Sequence, residues 1–472
     1  MSSIFLFKTF QEKYFSENVN PVNLYLKLRD YFPKSLLFES FKLHSMKICA
    51  SILCLDPISE ITIDKNQANI SYPNDYSESF LIVSRSEVQK IIDNFFKKLR
   101  SENIASPYSG FYGYFSYESI QYFENIYLKS PIKAPYRIPQ IRLKFYVNLI
   151  IFHHFCNEII FVKHNFKKVM YSKLNNFLKR KKKNYFFTLK ISGQLYSNIS
   201  DEEHKNMIIQ GRTSCFYGDV FQIVLSRQFS QKFIGDEFNV YLALREINPS
   251  PYLFYFDYGN YKIFGSSPES QLIVKKNIAY INPIAGTITR SVNEESILSQ
   301  KLLLDPKENS EHIMLVDLAR NDLSRNSSKV RVESFKKLQY FSHVLHMVSR
   351  VSGKLYSDIS TMRIFGETFP SGTLSGAPKY RAIKIIDQIE NQHRGVYGGA
   401  IGFLGLDGRM DTSIMIRSFL SKENTLFFQA GSGILYESKE DNEVQEVKNK
   451  LMALFKSINF AKKNFKLWRV KY

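Results

Sequence analysis

Apolar positions along this chain follow two rhythms. Ala50–Leu55, Phe80–Val83, Phe111–Tyr117, Phe145–His153 and Ile278–Ile281 are short runs with the length and character of strands. Other segments repeat every three or four residues. From Glu443 to Ile458, Val444, Val447, Leu451, Leu454 and Ile458 form one helical stripe, and Glu443, Glu446 and Lys450 form a second beside it. Ala382, Ile383, Ile386 and Ile389 make the buried face of another helix, with Ser375 its expected N-cap and Pro378 in its first turn. Ser200 and Asp201, followed by Glu202 and Glu203, open a third. Strands and helices alternate without the regular spacing of a doubly wound sheet, and no segment repeats. The pattern predicts an α+β protein with large sheets and helices packed outside.

The texture changes partway along. Residues 1–195 are rich in strand runs and poor in motifs. The Lys/Asn-rich stretch from about Lys163 to Asn184 looks like a surface excursion and a boundary. From residue 196 to about 465, Gly-rich turns and dense patterning take over. Two domains are predicted, 1–195 and 196–465.

Composition narrows the class. The 472 residues are 44% hydrophobic and 15% aromatic, which suits a large buried core and excludes disorder. No apolar run reaches the roughly 18 residues of a membrane span. Met1–Lys8 lacks a basic n-region and a cleavage site, and the four cysteines have no metal-like spacing; a reduced, cytoplasmic setting is expected. The net charge of +20 raises the question of a nucleic-acid partner. Much of it is Lys mixed with Asn, Ile, Phe and Tyr, as in Lys179–Tyr185, and reads as a solvated surface shaped by codon bias. Nucleic-acid binding through that stretch would collapse steeply with salt.

The chemistry lies in the second half. Glu308/Glu311 and Glu443/Glu446 share a spacing that puts both carboxylates of a pair on one helix face. Alone, either pair reads as surface carboxylates, with Lys450 an i,i+4 partner of Glu446. Together, flanked by Gly-rich turns, they suit Mg²⁺ held with an anionic substrate. The turns are Pro283–Thr287, Gly372–Lys379, Gly395–Gly399 and Ala430–Ile434. The second is expected to leave N–H groups free at a helix entry, and the last to follow a strand. None matches a P-loop or dinucleotide fingerprint. Arg417, ending the apolar run Ile414–Ile416, can clamp a carboxylate, and His346 can move protons.

Five blocks in order resemble the chorismate-utilising enzymes: Pro283–Thr287, Asp305–Asp322, Phe369–Lys379, Arg394–Gly399 and Ala430–Gly433. Leu36–Ser40 and Asn248–Leu253 are similar to the tryptophan-site elements of anthranilate synthase large subunits, so the resemblance spans nearly the whole chain. It implies a two-lobed fold with large antiparallel sheets and an Mg²⁺-dependent reaction of chorismate. Glu311 and Glu446 match the metal ligands, with Glu308 and Glu443 acting through waters. Gly286, Thr287, Tyr397, Arg417, Gly431, Ser432, Gly433 and Lys450 match the substrate positions, and His346 and Thr373 the catalytic ones. Glu39, Ser40, Pro251, Tyr252 and Leu253 match a feedback site for L-tryptophan.

Two positions separate the family's reactions. Isochorismate and salicylate synthases carry a lysine base where this chain has Gln222, which cannot activate water, so ammonia is the implied nucleophile. Many aminodeoxychorismate synthases carry an attacking lysine in place of Ala285, which leaves the anthranilate reaction as the reading and aminodeoxychorismate synthesis as the alternative. No cysteine lies in a Gly-x-Cys-x-Gly turn. Ammonia is therefore expected from a separate glutamine amidotransferase subunit. Val447 where the family has threonine, Ala319 where it has glycine, Phe38 where it has leucine, and Glu437–Glu440 depart from the pattern without removing an implied ligand.

Overall fold

The computed structural model describes residues 4–15, 19–40, 50–166, 188–289, 295–340 and 344–463. Residues 167–187 of the Lys-rich excursion lie outside them.

Two long strands organise the chain. β3 (Ala50–Asp64) and β8 (Ile141–His153) pair along their whole lengths, and each belongs to two sheets. The first half of β3 takes β2 (Leu36–Ser40) on its other edge; the second half takes β4 (Gln67–Ser71). The changeover falls at a register shift after Pro57, beside Asp56 at φ 65°. β8 splits in the same way. Asn148–His153 pair with β9 (Glu158–Phe166), and Ile141–Phe145 pair with β7 (Gly110–Phe115). Residues 51–55 and nearly all of β8 are buried on both faces, as their unbroken apolar runs require.

The first sheet continues from β2 through β12 (Tyr252–Asp257), β13 (Tyr261–Ser267), β22 (Ser418–Lys422), β23 (Thr425–Ile434) and β11 (Gln222–Gly235) to β10 (Leu189–Ser197). At its far end β9 leads to β1 (Phe5–Phe15) and β6 (Leu99–Ser101). The second sheet continues from β7 through β20 (Ala400–Gly405), β21 (Met410–Ile414), β14 (Ser270–Lys275), β15 (Ile278–Ile281) and β18 (Val344–Leu355) to β17 (Ser327–Tyr340). Its other end is β5 (Ser77–Leu81), and β16 (Ile284–Thr289) follows β15 along β18. β19 (Gly376–Ala377) is a stub on the start of β11. Among the described pairings only β1–β6 is parallel. Strands from the first 195 residues therefore pair directly with later ones, at β2–β12 and β7–β20.

The helices are α1 (Pro21–Leu28), α2 (Glu87–Lys98), α3 (Asp201–Phe216), α4 (Phe238–Ile247), α5 (Glu295–Leu304), α6 (Pro306–Ser324), α7 (Thr361–Thr368), α8 (Lys379–Ile389) and α9 (Glu440–Lys463). α3 starts as predicted: the Ser200 hydroxyl accepts from Glu203 N, and the Glu203 carboxylate accepts from Ser200 N. In α9 the five residues of the apolar stripe are all buried, against β23, α3 and α4. The architecture is the expected α+β fold of large antiparallel sheets with helices.

Several local expectations give way. Of Phe80–Val83 only Phe80 and Leu81 are strand, in β5. The run at Phe111 ends as strand at Phe115, and a 3₁₀ turn starts at Tyr117. α8 begins at Lys379 with Pro378 in the capping position; Ser375 instead donates its hydroxyl to Ser371 O. Pro283–Thr287 is no open turn. Its Ile284–Thr287 are the start of β16, bulged at Gly286. Ala430–Ile434 is the end of β23 itself, held by β11.

Leu451, fully buried in α9, tests the packing. Leu451→Ala is expected to lower the free energy of unfolding by about 2–5 kcal/mol, read from the denaturation midpoint by circular dichroism.

Candidate active site

The site is assembled where β16, β18, β23, α6 and α9 converge. At the β16 bulge Gly286 adopts φ 70°, and a Cβ there would stand 2.6 Å from Leu302 Cδ1 and 3.2 Å from Glu308 Oε2. The positive φ favours glycine here, and a side chain would crowd Leu302 at the end of α5 (Glu295–Leu304). α6 starts at Pro306 with Asp305 as N-cap, its carboxylate accepting from Glu308 N at 3.0 Å. That start orients Glu308 and Glu311 inward on successive turns. Glu311 Oε1 accepts a hydrogen bond from Gln222 Nε2 at 3.1 Å. Gln222 in turn lies across Gly433, where a Cβ would collide with its Nε2 at 2.2 Å. The amide therefore bridges the β11–β23 ladder to the acidic face of α6.

α9 carries the second glutamate pair. Glu443 is buried and accepts from Ser438 Oγ at 2.8 Å. Glu446 pairs with Lys450 at 2.8 Å, and Lys450 Nζ also donates to Gly431 O at 3.0 Å. The buried Tyr397 hydroxyl is hydrogen-bonded by the Gly431 backbone. Ser432 turns its side chain to the other face of β23, so only its main chain borders the site. Thr287 sits opposite His346 in the β16–β18 ladder.

Among the described residues, no three His, Cys, Asp or Glu side chains form a ready-made metal cluster. What α6 and α9 offer is carboxylate oxygen in pairs, the donor chemistry of an ion that keeps waters and takes further oxygens from its substrate.

Sequence reasoning missed Glu269. It stands between β13 and β14, and burial raises its carboxyl above the usual range, with Glu311 adding to that and Arg417 and Lys450 opposing it. Thr373 Oγ1 donates to Glu269 Oε2 at 3.1 Å and has Ser371 Oγ at 2.9 Å. A signal was present: Ser266-Ser267-Pro268-Glu269 breaks two apolar strands with an acid.

Arg417 lies beyond the end of β21 in a turn at φ 49°, a conformation unusual for a side chain of its size. Its Nη1 donates to Asn248 Oδ1 at 3.3 Å, and among the described residues no carboxylate pairs with it. Burial lowers its pKa from the ordinary arginine value, and the Glu269 charge opposes this only in part. His346 is buried nearby. Burial first, then the Arg417 charge, pushes its pKa down to about 4. Its Nδ1 lies 3.3 Å from Gly286 O, which can only accept, so the neutral ring carries its proton on Nδ1 and leaves Nε2 basic.

Arg394 holds these pieces together from below. Its fully buried guanidinium donates to both oxygens of Glu390, to Leu374 O at 2.6 Å and to Val224 O at 2.7 Å. It also lies over the rings of Tyr117 and Tyr397.

The predicted tryptophan-site residues cluster elsewhere. Glu39 and Ser40 on β2 stand opposite Leu253 and Tyr252 on β12. The Glu39 carboxylate is fully buried and accepts from Tyr241 Oη, Arg245 Nε and Arg245 Nη2 at 2.6–3.0 Å. Tyr252 Oη donates to Asp411 Oδ1 at 2.8 Å.

A family model for "chorismate binding enzyme" matches residues 34–456. The anthranilate synthase component 1 of Aquifex aeolicus is 32% identical over 94% of this chain and 93% of its own length. That of Acetivibrio thermocellus is 36% identical over 79% and 80%. The solved anthranilate synthase component I of Streptococcus pneumoniae superposes with a TM-score of 0.75 at 31% identity, over 94% of this chain and 99% of that one. The menaquinone-specific isochorismate synthase of Escherichia coli shares the fold at 15% identity, with a TM-score of 0.73 over 97% and 95% of the two chains.

The lowered pKa of His346 has a definite sign. The unfolded ring titrates near 6.5 and the folded one near 4, so the fold loses stability as pH falls through that window. In the free protein the His346 Cε1 proton should titrate below pH 5 by NMR. A midpoint near 6.5 would mean an exposed ring.

Proposed function

The chain belongs to the chorismate-binding enzymes, and we propose that it is a lyase converting chorismate and ammonia to anthranilate, pyruvate and water. The observation that carries the choice within the family is Gln222. An amide has no basic nitrogen, and this one is already engaged with Glu311 and laid over Gly433, so the position cannot deprotonate water. Ammonia needs no such base. Ala285, buried in β16, offers no amine to attack the ring. The similarity to anthranilate synthase component 1 over most of the chain supports the same reading.

The residues divide the work. The unpaired cation of Arg417, the Tyr397 hydroxyl, the Gly431–Gly433 main chain and the Gly286–Thr287 bulge hold the substrate's carboxylates; Lys450 adds charge. Ammonia forms its bond at ring C2 while the C4 hydroxyl leaves. Glu269, shifted toward the neutral acid by burial and positioned by Thr373, gives that hydroxyl its proton, so it departs as water. Neutral His346 then takes the proton from C2 as the ether bond breaks, the ring becomes aromatic and pyruvate departs. Glu311 and Glu446 would hold Mg²⁺, with Glu308 and Glu443 acting through waters. Bound there, the ion neutralises and orients the ring carboxylate.

The supply and control of the reaction follow from the same reading. With no glutaminase cysteine motif, the chain takes ammonia from a glutamine amidotransferase subunit. The Glu39, Ser40 and Pro251–Leu253 cluster binds L-tryptophan as feedback inhibitor.

The purified chain with chorismate, Mg²⁺ and concentrated ammonium should yield equal anthranilate and pyruvate, read by fluorescence and chromatography. Glutamine alone should yield none. Accumulated 4-amino-4-deoxychorismate would instead assign the folate branch. Gln222→Lys should divert turnover toward water, detected as isochorismate. Tryptophan should inhibit, and an unchanged rate at millimolar tryptophan would remove the feedback reading.

A further inference from the structure

Helix α6 carries half of the acidic wall, and its placement rests on few directional contacts. Its inner face is mostly apolar: Leu315, Val316, Ala319 and Leu323 are buried. Such contacts hold a helix down without fixing its rotation or its slide. Among the described residues, the polar tie from the C-terminal half to a neighbouring element is Asp322 to Lys379 Nζ at 2.7 Å. At the N-terminal half, Lys336 Nζ reaches the half-buried Asn309 amide oxygen, and Gln222 Nε2 donates to Glu311 at 3.1 Å. The buried tie beside the acidic residues is His312. It follows Glu311, stands one turn on from Glu308, and is fully buried. Its Nε2 lies 2.6 Å from Ser349 Oγ on β18.

Ser349 is a junction. Its Oγ also accepts the backbone N–H of Lys336 on β17 at 2.9 Å. Its own N–H donates to Pro283 O at 3.0 Å, at the entry to β16. It is three residues from His346. One side chain thus ties α6, β17, β18 and the strand of the Gly286 bulge.

We propose that His312 and Ser349 are positioning residues, setting the register of α6 against β16 and β18 and so the spacing between Glu308 and Glu311 and the Gly286–His346 side of the site. Neither touches substrate. Their effect passes through the two glutamates, and in its metal consequence it rests on the reading of Glu311 as an Mg²⁺ ligand. Rotating one residue of a helix turns its side chains by about 100°. A lost directional tie therefore disturbs a two-carboxylate site more than it disturbs packing. Support residues behind metal ligands typically change affinity by about 10–100-fold when removed.

The test uses the full chain and Mg²⁺ itself. Ser349→Ala and His312→Leu should weaken Mg²⁺ binding about tenfold by calorimetry, with chorismate present. At saturating Mg²⁺, kcat should stay within about threefold of the parent. His312→Gln, which returns an amide nitrogen near the Nε2 position, should restore the affinity. A Ser349→Ala protein with a lower melting temperature but unchanged Mg²⁺ affinity would overturn the proposal and leave the pair as packing. If Glu311→Gln also leaves Mg²⁺ binding unchanged, it is the ligand reading that fails. Hydrogen exchange then decides the register: Ser349→Ala should speed exchange at residues 306–314 and spare 315–324. Equal exchange in both halves would overturn it.

Discussion

A single buried ion pair, Arg394 with Glu390, is the constraint on which the site depends. Neither side chain reaches solvent, so each charge is tolerable only through the other and through full hydrogen bonding. The guanidinium spends its donors on Glu390 and on the carbonyls of Leu374 and Val224. Glu390 also accepts from the N–H and hydroxyl of Ser226. These four neighbours belong to different working parts. Leu374 follows Thr373, Val224 and Ser226 extend the strand of Gln222, and Tyr397 lies three residues beyond Arg394. A flexible lysine, with one point of charge, could not serve those acceptors at fixed angles. The planarity of one side chain thus orients the loop of Thr373, the strand of Gln222 and the phenol of Tyr397.

Burial sets the protonation states above this platform. Glu269 is driven toward the neutral acid and His346 toward the neutral base by the same loss of solvent. The Arg417 charge lowers both: it opposes protonation of His346 and favours ionisation of Glu269, so it works with burial on the first and against burial on the second. Burial, which raises the carboxyl and lowers the imidazole, therefore separates the two groups toward an acid and a base, a pattern expected where proton transfer occurs in two stages.

Much of this was legible in the chain itself. The α9 stripe and the capping of α3 follow from local periodicity, and the glutamate pairs from helical spacing, so no distant contact could disturb them. What the sequence hid was set by pairing. Ala430–Ile434 carries the glycines of a turn, yet β11 pairs with it to the end and makes it strand. Ser375 has the chemistry of a cap, but β19 on β11 pulls its segment into extended backbone and moves the helix start to Lys379. Glu269 escaped because a lone acid after proline has no periodic partner. Its role comes from Thr373, Arg417 and Lys450, all more than a hundred residues away.

β3 and β8 belong to both sheets, and this shapes how the molecule can come apart. Peeling either sheet away strips hydrogen bonds from the same two strands that the other sheet needs. Among the described residues, neither sheet can part from the other without breaking pairs of β3 and β8. A nick or truncation that removed β8 would bare one whole edge of β3 and the facing edges of β7 and β9 at once, sticky templates for pairing with other chains. Loss of order in β3 or β8 should therefore reach both sheets together rather than stay within one of them.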